Sequence, residues 1–146
     1  MSGLSLPGVY IEPLTLHSDP RGWLAELWRD DELPDGLRPV MGYVSETLPG
    51  VTRGPHMHYR QTDVFAFVGP GELAVWLWDV RPGPTWGREM RLTAGASRPL
   101  RLIVPPGVVH AYRNCGDGPA WVLNFPDALY RGPGRSEAVD ELRLER

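Results

Sequence analysis

GVTRGPHMHYRQTD (Gly50–Asp63) holds two of the chain's four histidines and its only glutamine. His56 and His58 are two residues apart, so on a β-strand both side chains point to the same face. That arrangement serves either a pair of metal ligands or a base beside a bound substrate. Arg53 has the opposite parity to His56. A bulge at Gly54-Pro55 is needed to bring the two together, because strands break their pairing at Gly and Pro.

Candidate strands lie on either side of this stretch, at Tyr43–Thr47, Val64–Val68, Leu73–Val80, Leu100–Val104, Val108–Arg113 and Trp121–Phe125. GPGE (69–72) reads as a turn that makes the second and third of these a hairpin. In LAVWLWDV (73–80) both alternating faces are apolar, as in a strand buried on both sides or lying at a subunit interface. SEAVDELRLER (136–146) is either a helix capped by Ser136 or an extended tail. With 17 glycines and 16 prolines spread without a period, the pattern is that of short strands and tight turns in an antiparallel sandwich or barrel. Its 146 residues are read as one domain over 1–146, long enough to bury a core.

Composition excludes several functions. The net charge is −3 with no basic cluster, which argues against nucleic acid as a partner. No run approaches the ~20 apolar residues of a membrane span, and MSGLSLPGVYIEP lacks the basic start of a signal peptide. The single cysteine, Cys115, rules out an intrachain disulfide and fits a reducing, cytoplasmic setting. All 15 basic residues are arginine, so Schiff-base and lysine acid–base chemistry are excluded, while binding of phosphate or carboxylate remains open.

Gly50-x5-His56-x-His58-x4-Asp63, followed by Pro105-x-Gly107-x2-His110-x3-Asn114, resembles the two motifs of the cupin superfamily. The resemblance implies an all-β fold, the cupin jelly roll or double-stranded β-helix. It also implies a candidate divalent transition-metal site made of His56, His58, Asp63 and His110, since imidazoles and a carboxylate suit such ions.

Four further motifs occur in order: Asp19-x-Arg21-Gly22-x3-Glu26, Arg53-Gly54-x-His56, RPGPTWG (81–87) and Leu129-Tyr130. Over roughly residues 10–132 the chain is similar to the dTDP-4-dehydrorhamnose 3,5-epimerase family of nucleotide-sugar cupins. The resemblance implies a cofactor-free homodimer that exchanges an N-terminal strand and takes a nucleotide sugar. It places Arg21, Glu26, Arg53, Gln61 and Tyr130 at the substrate and makes His56 the base that removes a proton α to the C4 ketone. Two family positions differ: Asp63 replaces a lysine that stabilises the enolate, and Asn124 replaces a tyrosine that returns a proton from the other face. Tyr112 is a substitute for that tyrosine, and Asp140 stands in for the aspartate that pairs with the base. Asp63 also serves to orient a histidine, and His110 to relay a proton or brace its strand. Trp23 is placed to stack on the base, and His17 sits in a polar turn. The segment Arg53-Gly54-Pro55-His56-Met57-His58 is similar as well to cupin 3,4-ketoisomerases, in which both histidines shuttle protons. Single epimerisation or ketoisomerisation therefore suits these residues better than double epimerisation. Sugar-nucleotide binding without catalysis is the remaining alternative.

Overall fold

In the computed structural model, which describes residues 6–144, alternation along LAVWLWDV becomes the strand β7 (Glu72–Asp79). Leu73, Val75 and Leu77 are buried on its inner face, and Trp76 and Trp78 are half-buried on its outer face. The chain otherwise folds into β1 (Tyr10–Pro13), β2 (His17–Asp19), β3 (Gly22–Leu24), β4 (Tyr43–Thr47), β5 (Thr52–Met57) and β6 (Asp63–Phe67). After β7 come β8 (Glu89–Gly95), β9 (Leu100–Val104), β10 (Val108–Asn114), β11 (Ala120–Asn124) and β12 (Leu142–Arg143). Two five-stranded antiparallel sheets result, ordered β1-β9-β6-β11-β4 and β12-β5-β10-β7-β8, with β2-β3 as a separate hairpin. This is the expected all-β jelly roll. No helix among the described residues is long and apolar enough to cross a membrane.

The inner faces of the two sheets share one core. Phe65, Phe67, Leu100, Leu102 and Val122 of the first pack against Leu73, Val75, Leu77 and Val108 of the second. Each such side chain contributes about 1.5–3 kcal/mol by leaving water. The segment before β4 covers the outer face of the first sheet, where Leu33, Trp28 and Leu37 pack on Val64 and Ile103. Every residue of β6 and β9 is consequently buried, the charged Asp63 and Arg101 included.

The expected hairpin over Gly69–Glu72 is not formed. β6 and β7 lie in different sheets, so this turn carries the chain across the core. Gly71 has φ +91°, and a Cβ there would sit 2.5 Å from the Ala120 Cβ, so the crossing needs glycine. Turn residues report a reversal of direction without fixing which strand pairs with which.

The bulge at Gly54-Pro55 is present. His110 lies opposite His56 and Tyr112 opposite Arg53, which leaves two residues of β5 facing one of β10. Gly54 has φ +92°, and a Cβ on it would fall 2.7 Å from the His110 carbonyl oxygen. The tail is extended: after one 3-10 turn at Pro133–Arg135 it forms β12, which pairs with β5.

Candidate active site

Strands β4, β5, β6 and β10 and the segment from Pro126 to Arg143 enclose a cavity of about 830 Å³. Arg53, His56, His58, Gln61, Asp63, His110, Tyr112 and Tyr130 all line it, so the structure gathers eight of the site residues expected from sequence. Asn124 joins them from behind through a hydrogen bond to Asp63.

Asp63, at 1% exposure, is the hub. Its Oδ1 accepts from Gln61 Nε2 at 2.8 Å and from Asn124 Nδ2 at 3.0 Å. Its Oδ2 lies 3.1 Å from His58 Nε2 and 3.4 Å from His110 Nε2. Burial alone would raise the Asp63 pKa, but the hydrogen bond and charge of His58, with the Asn124 N–H, hold it below the ordinary carboxylate range, so it is an anion.

The two neighbouring histidines differ in charge. Burial opposes a charge on His58, yet the hydrogen bond and charge of Asp63 outweigh it and raise the pKa to about 9. Its Nδ1 donates to the Asp140 carbonyl at 2.6 Å, so His58 is an imidazolium using both N–H groups. Burial holds His110 below its ordinary value, so its ring is neutral. With Nδ1 3.2 Å from the Val108 carbonyl, the proton is assigned to Nδ1, and Nε2 turns a lone pair toward Asp63.

His56 stands beside this network, as the register partner of His110 with the two ring centroids 6.2 Å apart, but outside its hydrogen bonds to Asp63. Its Nδ1 is 3.6 Å from Oε1 of Glu141, whose side chain is 11% exposed. Asp140, the expected partner of the base, is engaged elsewhere: its carboxylate accepts the backbone N–H groups of Tyr59, Arg60 and Gln61 at 3.0–3.1 Å. Register gives the reason. Pairing of Leu142 with Met57 and Arg143 with His56 brings Glu141 to the imidazole and leaves Asp140 to cap the following loop.

The metal reading is corrected in its ligand set. His58, Asp63 and His110 offer ligand atoms within 4.8 Å of one another, and His56 is outside that group. With His58 deprotonated at Nε2, these three would suit a divalent transition metal as donors, because both histidines anchor Nδ1 on a carbonyl and aim Nε2 at one carboxylate oxygen.

Arg53 is held by Thr47 Oγ1 at 2.9 Å and the Glu46 carbonyl at 2.6 Å. Tyr112 packs edge-on against Phe65 and Phe67, and Tyr130 is exposed on the rim. Arg21 and Glu26 lie outside this cavity. Arg21 pairs with Asp19 at 2.6 Å with its side chain 90% exposed, and Glu26 pairs with Arg29 at 3.6 Å. Glu26 and His17 border a separate, smaller cleft around Arg101. Trp23 is exposed on the β2-β3 hairpin.

Sequence reasoning missed Tyr43, Arg60, Glu141 and Arg143 as lining residues. The alternation of β4 offered a signal for Tyr43, since Tyr43 and Ser45 share a face and both line the cavity.

Residues 3–132 match the family model described as dTDP-4-dehydrorhamnose 3,5-epimerase. The chain belongs to the dTDP-4-dehydrorhamnose 3,5-epimerase family. Among relatives of this epimerase-family chain is the spore coat polysaccharide biosynthesis protein SpsL of Bacillus subtilis, 36% identical over 95% of this chain and 89% of the relative. The probable low-salt glycan biosynthesis epimerase Agl13 of Haloferax volcanii is 32% identical over 84% and 79%. In structure the chain is similar to a dTDP sugar isomerase from Desulfovibrio desulfuricans G20, with TM-score 0.83 and 28% identity over 95% of this chain and 85% of that one. ChmJ, a 3'-monoepimerase from Streptomyces bikiniensis solved with dTDP-quinovose, superposes with TM-score 0.82 at 22% identity, covering 99% and 73%. The chain is thus a dTDP-sugar epimerase/isomerase-family protein whose relatives act in glycan biosynthesis.

Proposed function

We propose that this chain epimerises or isomerises a dTDP-linked 4-keto-6-deoxyhexose, with His56 as the base for the α-proton. The observation that carries the reading is the His56–Glu141 pair on the cavity wall, on the same strand as Arg53 and on the sheet facing Asp63. The carboxylate 3.6 Å from Nδ1 is placed to orient the ring of the base. Arg53, Arg60, Arg131 and Arg143 line the same cavity and suit a pyrophosphate. His58, as a cation, supplies the positive charge toward a developing enolate that the lysine replaced by Asp63 would have given.

The protein works as a homodimer in the cytoplasm, with Arg21 and Glu26 serving the nucleotide in a second copy's cavity. Their exposure on and beside the β2-β3 hairpin, away from their own cavity, supports this arrangement.

Incubating the protein with dTDP-4-keto-6-deoxyglucose in heavy water tests the reading. Deuterium enters the carbon α to the ketone if it is right. No deuterium at C3 or C5, with intact substrate and folded protein, overturns it. Tight dTDP binding without exchange would instead make the protein a binding module.

The lone pair of His110 Nε2 facing Asp63 Oδ2 favours a second reading, a divalent cation held by His58, Asp63 and His110. Such a cation would supply Lewis-acid stabilisation of an enolate oxygen. Stoichiometric transition metal in the purified protein supports it, and metal-free protein with full exchange activity rules it out.

A further inference from the structure

Epimerisation needs a proton donor on the sugar face opposite the base, and Asn124 cannot be one. Its side chain nevertheless identifies a neighbour that can. Asn124 and Tyr43 are register partners on β11 and β4, so their side chains emerge side by side. Asn124 Nδ2 donates to Tyr43 Oη at 2.9 Å and to Asp63 Oδ1 at 3.0 Å. The phenol oxygen therefore accepts in this bond, which leaves its own proton for another partner. Tyr43 lines the cavity.

We propose that Tyr43 is the second catalytic group, delivering a proton to the sugar face opposite His56 in the role of the tyrosine absent at position 124. The proposal rests on the epimerase reading above. Its main support is the placement of the two groups on opposing sheets: His56 on β5 of one, Tyr43 on β4 of the other. A sugar ring held between the sheets presents one face to each. Tyr112 does not meet this requirement. It stands on β10, in the same sheet as His56 and in register with Arg53. Asp63 is on the correct wall but carries no proton. Tyr43 is 48% exposed, but desolvation, with the Asp63 charge adding to it, outweighs the Asn124 bond and pushes the phenol up to about 12. The exposed side chain leaves room for a substrate beside it.

The step balances without an oxidant or reductant. His56 takes the proton of the α C–H bond, and the electron pair moves toward the carbonyl to give the enolate. The Tyr43 O–H bond then breaks, and its proton adds to the carbon from the other face. The phenolate left behind faces the Asn124 N–H until water reprotonates it, and His56 returns its proton to solvent.

Proton NMR in heavy water, with dTDP-4-keto-6-deoxyglucose as substrate, reads exchange and inversion separately. Tyr43→Phe is expected to keep α-deuterium exchange within about threefold of the parent while inversion falls by about 10²-fold or more. Tyr112→Phe leaves the ratio of inversion to exchange at the parental value, whatever it does to binding. The double variant Tyr43→Asn/Asn124→Tyr, which moves the phenol to the facing strand, restores inversion to within about tenfold of the parent. Inversion by folded Tyr43→Phe at the parental rate overturns the proposal. So does loss of exchange equal to loss of inversion, which would make Tyr43 a binding residue. Exchange without inversion in the parent refutes Tyr43 as donor while leaving His56 as base, whereas absence of parental exchange breaks the epimerase reading itself.

Discussion

On one wall of the cavity, β5 and β10 present Arg53, His56 and Tyr112 in a pattern close to the epimerase-family motif. On the other, β4, β6 and β11 carry Tyr43, Asp63 and Asn124, where the resemblance expects a lysine at 63 and a tyrosine at 124. The first wall keeps Arg53 and His56 at their family positions; for the second, the proposed mechanism moves the phenol to Tyr43 and the positive charge to His58, which follows β5 and meets Asp63 from the facing side. A site of this kind can conserve the arrangement of its chemistry while changing which residue supplies each group. Matching a motif position by position overlooks such shifts.

The largest expected effect lies on the conventional wall. His56→Asn should lower exchange by about 10²–10⁴-fold with little change in melting temperature, checked by deuterium uptake and calorimetry. Normal exchange in that variant would transfer the role of base to the other wall.

On the altered wall the next effect is on stability. Asp63→Ala leaves His58 cationic and half-buried without its partner, and should cost about 3 kcal/mol in denaturant unfolding. The same pair gives a pH dependence. Because the folded-state pKa of His58 is raised to about 9 above its ordinary 6.5, its contribution is complete below about 6.5 and is lost as pH rises through about 9. Melting temperature should therefore fall between pH 7 and pH 10 in the parent and fall less in His58→Gln. Equal slopes would show that Asp63 does not hold a charged imidazole.

Glu141→Gln tests how His56 is supported. About a tenfold loss in kcat, or 1.4 kcal/mol, with KM unchanged would mark Glu141 as a positioning residue. A change confined to KM would make it a binding residue. The smallest effect is expected at Arg21, where Arg21→Ala should weaken dTDP binding severalfold in titration calorimetry. No change would remove the hairpin from the nucleotide site.

Much of this architecture was legible in the sequence. Period-two alternation located β4, β7, β9, β10 and β11 to within a residue or so, and Gly54-Pro55 announced the bulge that brings Arg53 and His56 to one cavity. Asp63 and Asn124 stood out as departures because the motifs around them are specific. What remained hidden depends on pairing. Whether Gly69–Glu72 closes a hairpin or crosses the core is decided by partners dozens of residues away. Tyr43 gains meaning only once β4 is seen to pair with β11 in a register that sets it against Asn124. Glu141 and Asp140 are adjacent in sequence, and only the docking of β12 on β5 determines which of them reaches the imidazole.

The tail has a further consequence for how such a protein is altered by evolution or design. Asp140 ties down three successive amides, its carbonyl orients His58, and the next residue meets His56. A few residues at the margin of the fold thus set the environment of both histidines without belonging to the packed core. Exchanging this segment between relatives is a compact way to retune the chemistry, since the other nine strands of the two sheets, with the β2-β3 hairpin, can stay as they are.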